Sequence, residues 1–130
     1  MSGRGPVGLL LSVRGELSSV RLWHPSAPGR AQMDAVNAAI DARTVYRVMR
    51  PRWDVDVWAD EDGGPLGLVI NPIATRIAHR HLTGPVVFTG YSARDVIGIS
   101  DRAAVRIAVF VRKFGGLVEA DTEDWLAATG

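Results

Sequence analysis

The chain predicts an α+β fold: a mixed, mainly antiparallel sheet of about five or six strands packed against two main helices. Three observations carry that expectation. Residues 53–70 read as two β-rich runs around the Asp60-Glu61-Asp62-Gly63-Gly64-Pro65 turn. Two helix openings follow, at Asn71-Pro72 and at Ser100-Asp101. The strand signals also come in pairs joined by short glycine-bearing turns, which is the pattern of hairpins.

Val7–Val13 and Leu17–Trp23 are β-rich runs separated by Arg14-Gly15-Glu16, where Gly15 is free to take a positive φ. Val20 and Leu22 alternate with Ser19, Arg21 and Trp23, giving a buried face and a wet face. His24-Pro25 ends the strand. From Arg30 to Ala42 the apolar residues Met33, Val36, Ala39 and Ile40 recur at helical spacing. Thr44–Met49 is β-branched and aromatic up to Pro51. Asp54–Ala59 then alternates Val55, Val57 and Ala59 with Asp54, Asp56 and Trp58.

Leu66–Ile70, apolar on both faces, is expected to be a central strand. Asn71 caps a helix of about two turns whose inward residues are Ile73, Ala74, Ile77 and Ala78. Val86–Thr89 is a strand entered through Gly84-Pro85, and Asp95–Ile99 a short extended piece. Ser100 caps a long helix, Asp101–Phe114, with Ala104, Ile107, Ala108 and Val111 as its apolar stripe and Gly115-Gly116 as its stop. A short amphipathic helix near 122–128 carries Trp125.

With 130 residues, 47% hydrophobic and 22% charged, the chain is expected to form a single compact domain spanning 1–130. The absence of cysteine excludes disulfides, thiolate metal sites and cysteine nucleophiles. Fifteen basic residues against fourteen acidic ones leave a net charge of +1, so any polyanion would need a local patch. The apolar run Val7–Leu11 is far too short for a signal-peptide core or a membrane span, so a soluble cytoplasmic protein is expected, without a membrane partner.

Three clusters carry side chains suited to chemistry. Asp54 and Asp56, with Asp60, Glu61 and Asp62, could bind a cation or act as acid and base; a solvated strand face and a charged hairpin tip explain them more simply. His79 and His81 supply two nitrogens, too few for a metal without distant ligands, and they fall where cations suit the end of a helix. No metal and no cofactor are expected. The third cluster is Arg50, Arg52, Trp53 and Trp58, with Arg47 nearby. Arginine and tryptophan suit pairing with anions and stacking, so these four are the expected ligand- or partner-binding residues. No Ser-His-Asp order, phosphate-binding loop or dinucleotide glycine motif is present, so no catalytic residues are assigned.

Asp60-Glu61-Asp62-Gly63, Gly67-Leu68-Val69-Ile70-Asn71-Pro72, Ala74-Thr75 and Gly84-Pro85-Val86-Val87 with Gly90 resemble a family of small uncharacterised phage and plasmid proteins, labelled a domain of unknown function. The resemblance covers roughly residues 7–90. It implies an accessory protein of a mobile element, and the arginine-rich composition fits an actinobacterial host. The family supplies no catalytic residue.

The resulting expectation is a non-enzymatic accessory protein that binds a host protein or a small anionic ligand, in an inhibitor or counter-defence role. A second reading is a nucleic-acid-binding regulator using Arg102, Arg106 and Arg112 on the last helix, which requires a continuous basic face. A third is a metal-dependent hydrolase built on Asp54, Asp56 and His79 or His81. The sequence leaves the oligomeric state open.

Overall fold

The fold follows from which runs find partners. In the computed structural model, residues 6–22, 30–64, 66–92 and 95–114 are described. The expected terminal helix near 122–128, with Trp125, lies outside them. Five strands, β1 (Val7–Leu11), β2 (Leu17–Arg21), β3 (Val45–Arg50), β4 (Val55–Asp60) and β5 (Val86–Gly90), form one sheet in the order β2-β1-β5-β4-β3. Every neighbouring pair is antiparallel. The α+β class is therefore as the sequence predicts, with a sheet that is antiparallel throughout rather than mixed.

Helix α1 (Arg30–Ile40) covers one face of the sheet. Val36 and Ile40 meet Leu22, Trp58, Val87 and Val96 there, at the helical spacing read from the sequence. On the other face lie α2 (Pro72–Ala78) and helix α3, residues 101–114. Ile73, Ile77, Ala103, Ile107 and Val111 pack there on Leu11, Val55, Val57, Val86 and Phe88. Strand alternation deals neighbouring residues to the two cores: Val86 and Phe88 go to one, Val87 to the other.

The turns behave as their residues require. Gly15 takes φ +87° in the β1–β2 hairpin, and the Ser12 N–H donates to the Glu16 carbonyl at 3.0 Å. Helix α1 ends in a left-handed residue, Asp41, with the Ala42 N–H donating to the Asn37 carbonyl at 3.1 Å.

Asn71 does more than cap α2. Its side-chain oxygen accepts the Ala74 N–H at 3.2 Å, while its amide donates to the carbonyls of Leu11 (3.1 Å) and Gly84 (3.0 Å). Fully buried, it ties α2 to β1 and to the approach to β5.

Two sequence expectations fail. Leu66–Ile70 is not a central strand. Gly67 takes φ +71°, the Leu68 N–H turns back onto the Gly63 carbonyl at 2.9 Å, and Leu66 and Val69 are exposed. Only Ile70 makes a bridge, to Thr83. Apolar content alone cannot recruit a strand where the backbone is already committed to a turn. The buried stripe of α3 is also rotated. Ala103, not Ala104 or Ala108, lies in the core with Ile107 and Val111.

Candidate functional site

The 3-10 turn Pro51–Trp53 joins β3 to β4 and stands beside the start of α3. Proline at its first position sets the turn, and Asp54 closes it in the left-handed conformation at φ 56°. Asp54 is therefore outside β4 and does not share a strand face with Asp56. Its carboxylate instead accepts the Ser100 hydroxyl at 3.0 Å, and that same hydroxyl oxygen accepts the Ala103 N–H at 3.1 Å as the N-cap of α3. One aspartate thus fixes the distance between the turn and the helix.

Arg106 completes the joint. It donates from Nη1 to the Arg52 carbonyl at 2.8 Å, and its guanidinium lies 5.0 Å over the Trp53 ring. Trp53 is held in turn by an edge contact with Phe110, ring centroids 5.3 Å apart. Between turn and helix is a cleft of about 260 Å³ lined by Pro51, Arg52, Trp53, Asp54, Arg102, Ala103 and Arg106. Arg52 and Arg102 are exposed and make no ion pair among the described residues. Three arginines thus line one cleft, and the one acidic residue in its lining, Asp54, is engaged by Ser100.

The cleft brings together residues that the sequence placed in two separate readings. Arg52 and Trp53 come from the arginine–tryptophan cluster, Arg102 and Arg106 from the basic helix. Arg50 and Trp58 are elsewhere. Arg50 donates from Nε to the Ile77 carbonyl at 3.1 Å, satisfying the last turn of α2. Trp58 is on the opposite face of the sheet, 5% exposed in the α1 core, with its indole N–H donating to Thr89 Oγ1 at 2.8 Å. Arg112, six residues beyond Arg106, projects from a different side of α3, so the three helix arginines form no continuous basic face.

Around Trp58 is an arrangement that sequence reasoning missed. Asp56, read as solvated, is fully buried. Its Oδ2 accepts the Ser92 N–H at 3.1 Å and lies 3.9 Å from Arg47 Nη1, which donates to the Ser92 carbonyl at 3.0 Å. The Arg47 guanidinium also lies 5.5 Å from the Trp58 ring centroid. Asp56 Oδ1 has no hydrogen-bond partner among the described residues. The missed signal was β4 itself: a strand between two neighbours and beneath helices on both faces buries even its polar side.

Burial pushes the Asp56 carboxyl above its ordinary 3.8, against the opposing pull of the Ser92 N–H and the Arg47 charge. A raised value means that the folded state holds this proton more tightly than the unfolded state. The contribution of Asp56 to stability is therefore full below pH 3.8 and is lost as pH rises through the folded-state value. Asp56→Asn should flatten that segment of the stability curve. Urea unfolding of both proteins between pH 3.5 and pH 7, about the span over which a raised carboxyl titrates, checks it. Parallel curves would mean that Asp56 does not titrate differently on folding.

The solvated reading of Asp60 is also corrected. It is 5% exposed, and its Oδ1 accepts the Asp62 N–H at 2.8 Å to shape the hairpin tip. His79 is the left-handed C-cap of α2, and both it and His81 are exposed. Among the described residues no three His, Asp or Glu side chains are grouped to hold a metal ion. No described helix is long and apolar enough to cross a membrane.

Comparison of the chain with protein-family models, with curated proteins and with solved structures finds no match.

Proposed function

We propose that the protein binds a small anionic ligand, with a phosphate group as the best-fitting chemistry, in the cleft between the 3-10 turn and α3. The observation that carries the reading is the convergence of Arg52, Arg102 and Arg106 on one cleft, from segments about fifty residues apart. Arg106 is set in place by Trp53 and the Arg52 carbonyl, so little side-chain freedom remains to be lost on binding. Arg52 and Arg102 supply planar forks suited to phosphate or carboxylate oxygens. A volume of about 260 Å³ suits a compact anion better than a large ligand. The biological setting, an accessory protein of a phage or plasmid acting on its host, is part of the proposal and comes from the sequence resemblance.

Inorganic pyrophosphate is a suitable probe. Calorimetric titration at low ionic strength should give one site per chain. Arg52→Ala with Arg102→Ala should weaken it by about 2 kcal/mol or more while leaving the urea midpoint nearly unchanged, because neither side chain is buried. Equal binding by the native and doubly substituted proteins would remove this cleft as the site.

A further inference from the structure

The arginine cleft carries one group that a plain anion site does not call for. Asp54 stands in its lining with Arg52, Arg102 and Arg106. A carboxylate there opposes the anion that the arginines draw in. Neither of its local tasks needs a charge. It accepts the Ser100 hydroxyl at 3.0 Å through Oδ2, which a neutral carbonyl oxygen would do as well. It also closes the 3-10 turn at φ 56°, a conformation that asparagine adopts as readily.

Nor is the charge used by its neighbours. Among the described residues Asp54 forms no ion pair with Arg52, Arg102 or Arg106, and its Oδ1 accepts no hydrogen bond. Opposite charges thus line one cleft of about 260 Å³ and stay apart. The separation is built in. Ser100 holds the carboxylate, while Trp53 and the Arg52 carbonyl hold Arg106.

We infer that the ligand of this cleft is an aminoalkyl phosphate, a phosphate monoester that carries a primary ammonium on a short carbon stem. The inference rests on the anion reading above and adds a second charge to it. The arginines take the phosphate oxygens, and Asp54 takes the ammonium on Oδ1 without giving up Ser100. Pro51, Trp53 and Ala103 supply apolar lining for the stem. The ligand then bridges the opposite charges that the fold keeps apart. A monoester suits three arginines better than a diester, because it offers more charge and more free oxygens.

Calorimetric titration with phosphoethanolamine and with propyl phosphate, which has a methyl group in place of the ammonium, tests the inference on the native chain. Propyl phosphate carries the greater net negative charge, so arginines alone would favour it. The native chain should instead bind phosphoethanolamine at least about threefold tighter, the scale of an exposed charge pair. Asp54→Asn keeps an acceptor for Ser100 and suits the left-handed turn. It should move the two ligands in opposite directions, phosphoethanolamine weaker and propyl phosphate tighter. Glycerophosphoethanolamine, a diester with the same ammonium, separates a free monoester from a lipid headgroup and should bind more weakly than phosphoethanolamine.

Pyrophosphate, which carries no ammonium, tells the failure of this inference from the failure of the anion reading. Where pyrophosphate binds through Arg52 and Arg102, the inference alone is overturned by any of three results. Propyl phosphate binds as well as phosphoethanolamine, neither ester binds, or Asp54→Asn leaves the preference unchanged. A diester that binds tighter than the monoester overturns the assignment to a monoester. Pyrophosphate that fails to bind the native chain, or binds equally after Arg52→Ala with Arg102→Ala, removes the cleft and the inference together.

Discussion

Replacing Asn71 with alanine should destabilise the protein by about 2–4 kcal/mol, more than an ordinary cap substitution. Loss of the cap to the Ala74 N–H alone costs about 1 kcal/mol. The amide is also the donor that reaches the Leu11 and Gly84 carbonyls in a fully buried setting, and each buried acceptor stripped of a donor costs about 1–3 kcal/mol. Asn71→Asp separates the two roles. It keeps an acceptor for Ala74 but turns a carboxylate onto two carbonyls, so it should be at least as harmful as alanine. Urea unfolding of the three proteins measures both effects. If aspartate restored the stability lost in the alanine variant, the cap alone would matter and the link to β1 would be incidental.

Gly90→Ala should cost about 1–3 kcal/mol by overpacking and should weaken anion binding as well. Gly90 ends β5, pairs with Val55 and donates its N–H to the Ile97 carbonyl at 2.9 Å. A methyl group there would be driven into the Gly98 carbonyl oxygen and the Ile97 side chain. The exposed Ile97 side chain can turn aside, but the Gly98 carbonyl belongs to a backbone held on both sides. The Ile99 N–H is tied to the Val7 carbonyl at 2.8 Å, and Ser100 follows as the cap of α3 and the partner of Asp54. Displacing residues 96–99 therefore shifts the helix that carries Arg102 and Arg106. Unfolding and pyrophosphate titration of the same variant check the two effects. Stability lost with affinity unchanged would show that the start of α3 is positioned independently of this segment.

Local chemistry was legible in the sequence wherever it was self-contained. Gly15, the Asn71-Pro72 step and the Ser100 cap each act over three or four residues, and each is found where the sequence placed it. The inward residues of α1 and α2 were equally readable, because one apolar face per helix leaves little choice. What the sequence concealed depends on distant partners. Asp56 is buried because Met49 and Thr89 flank it across two strand pairs and Ser92 closes over it, none of which its neighbours in the chain reveal. Leu66–Ile70 has strand composition but meets a turn set by Gly67.

The fold divides the arginine–tryptophan cluster. Arg52 and Trp53 border the cleft, but the turn after Pro51 separates Arg50 from Arg52, and alternation sends Trp58 through the sheet. The alliance of Arg52 with Arg102 and Arg106 was invisible because it is made by the docking of α3, through Ser100 and Asp54.

The most direct test of the anion cleft is a pyrophosphate titration of the native chain followed on the arginine Nε–H resonances. The account predicts saturable shifts for Arg52, Arg102 and Arg106 with one common affinity. Arg50, bonded to Ile77, and Arg47, beside Asp56 on the other face, should stay in place. Shifts that grow linearly without saturating, or that fall first on Arg47, Arg50 or Arg112, would contradict it.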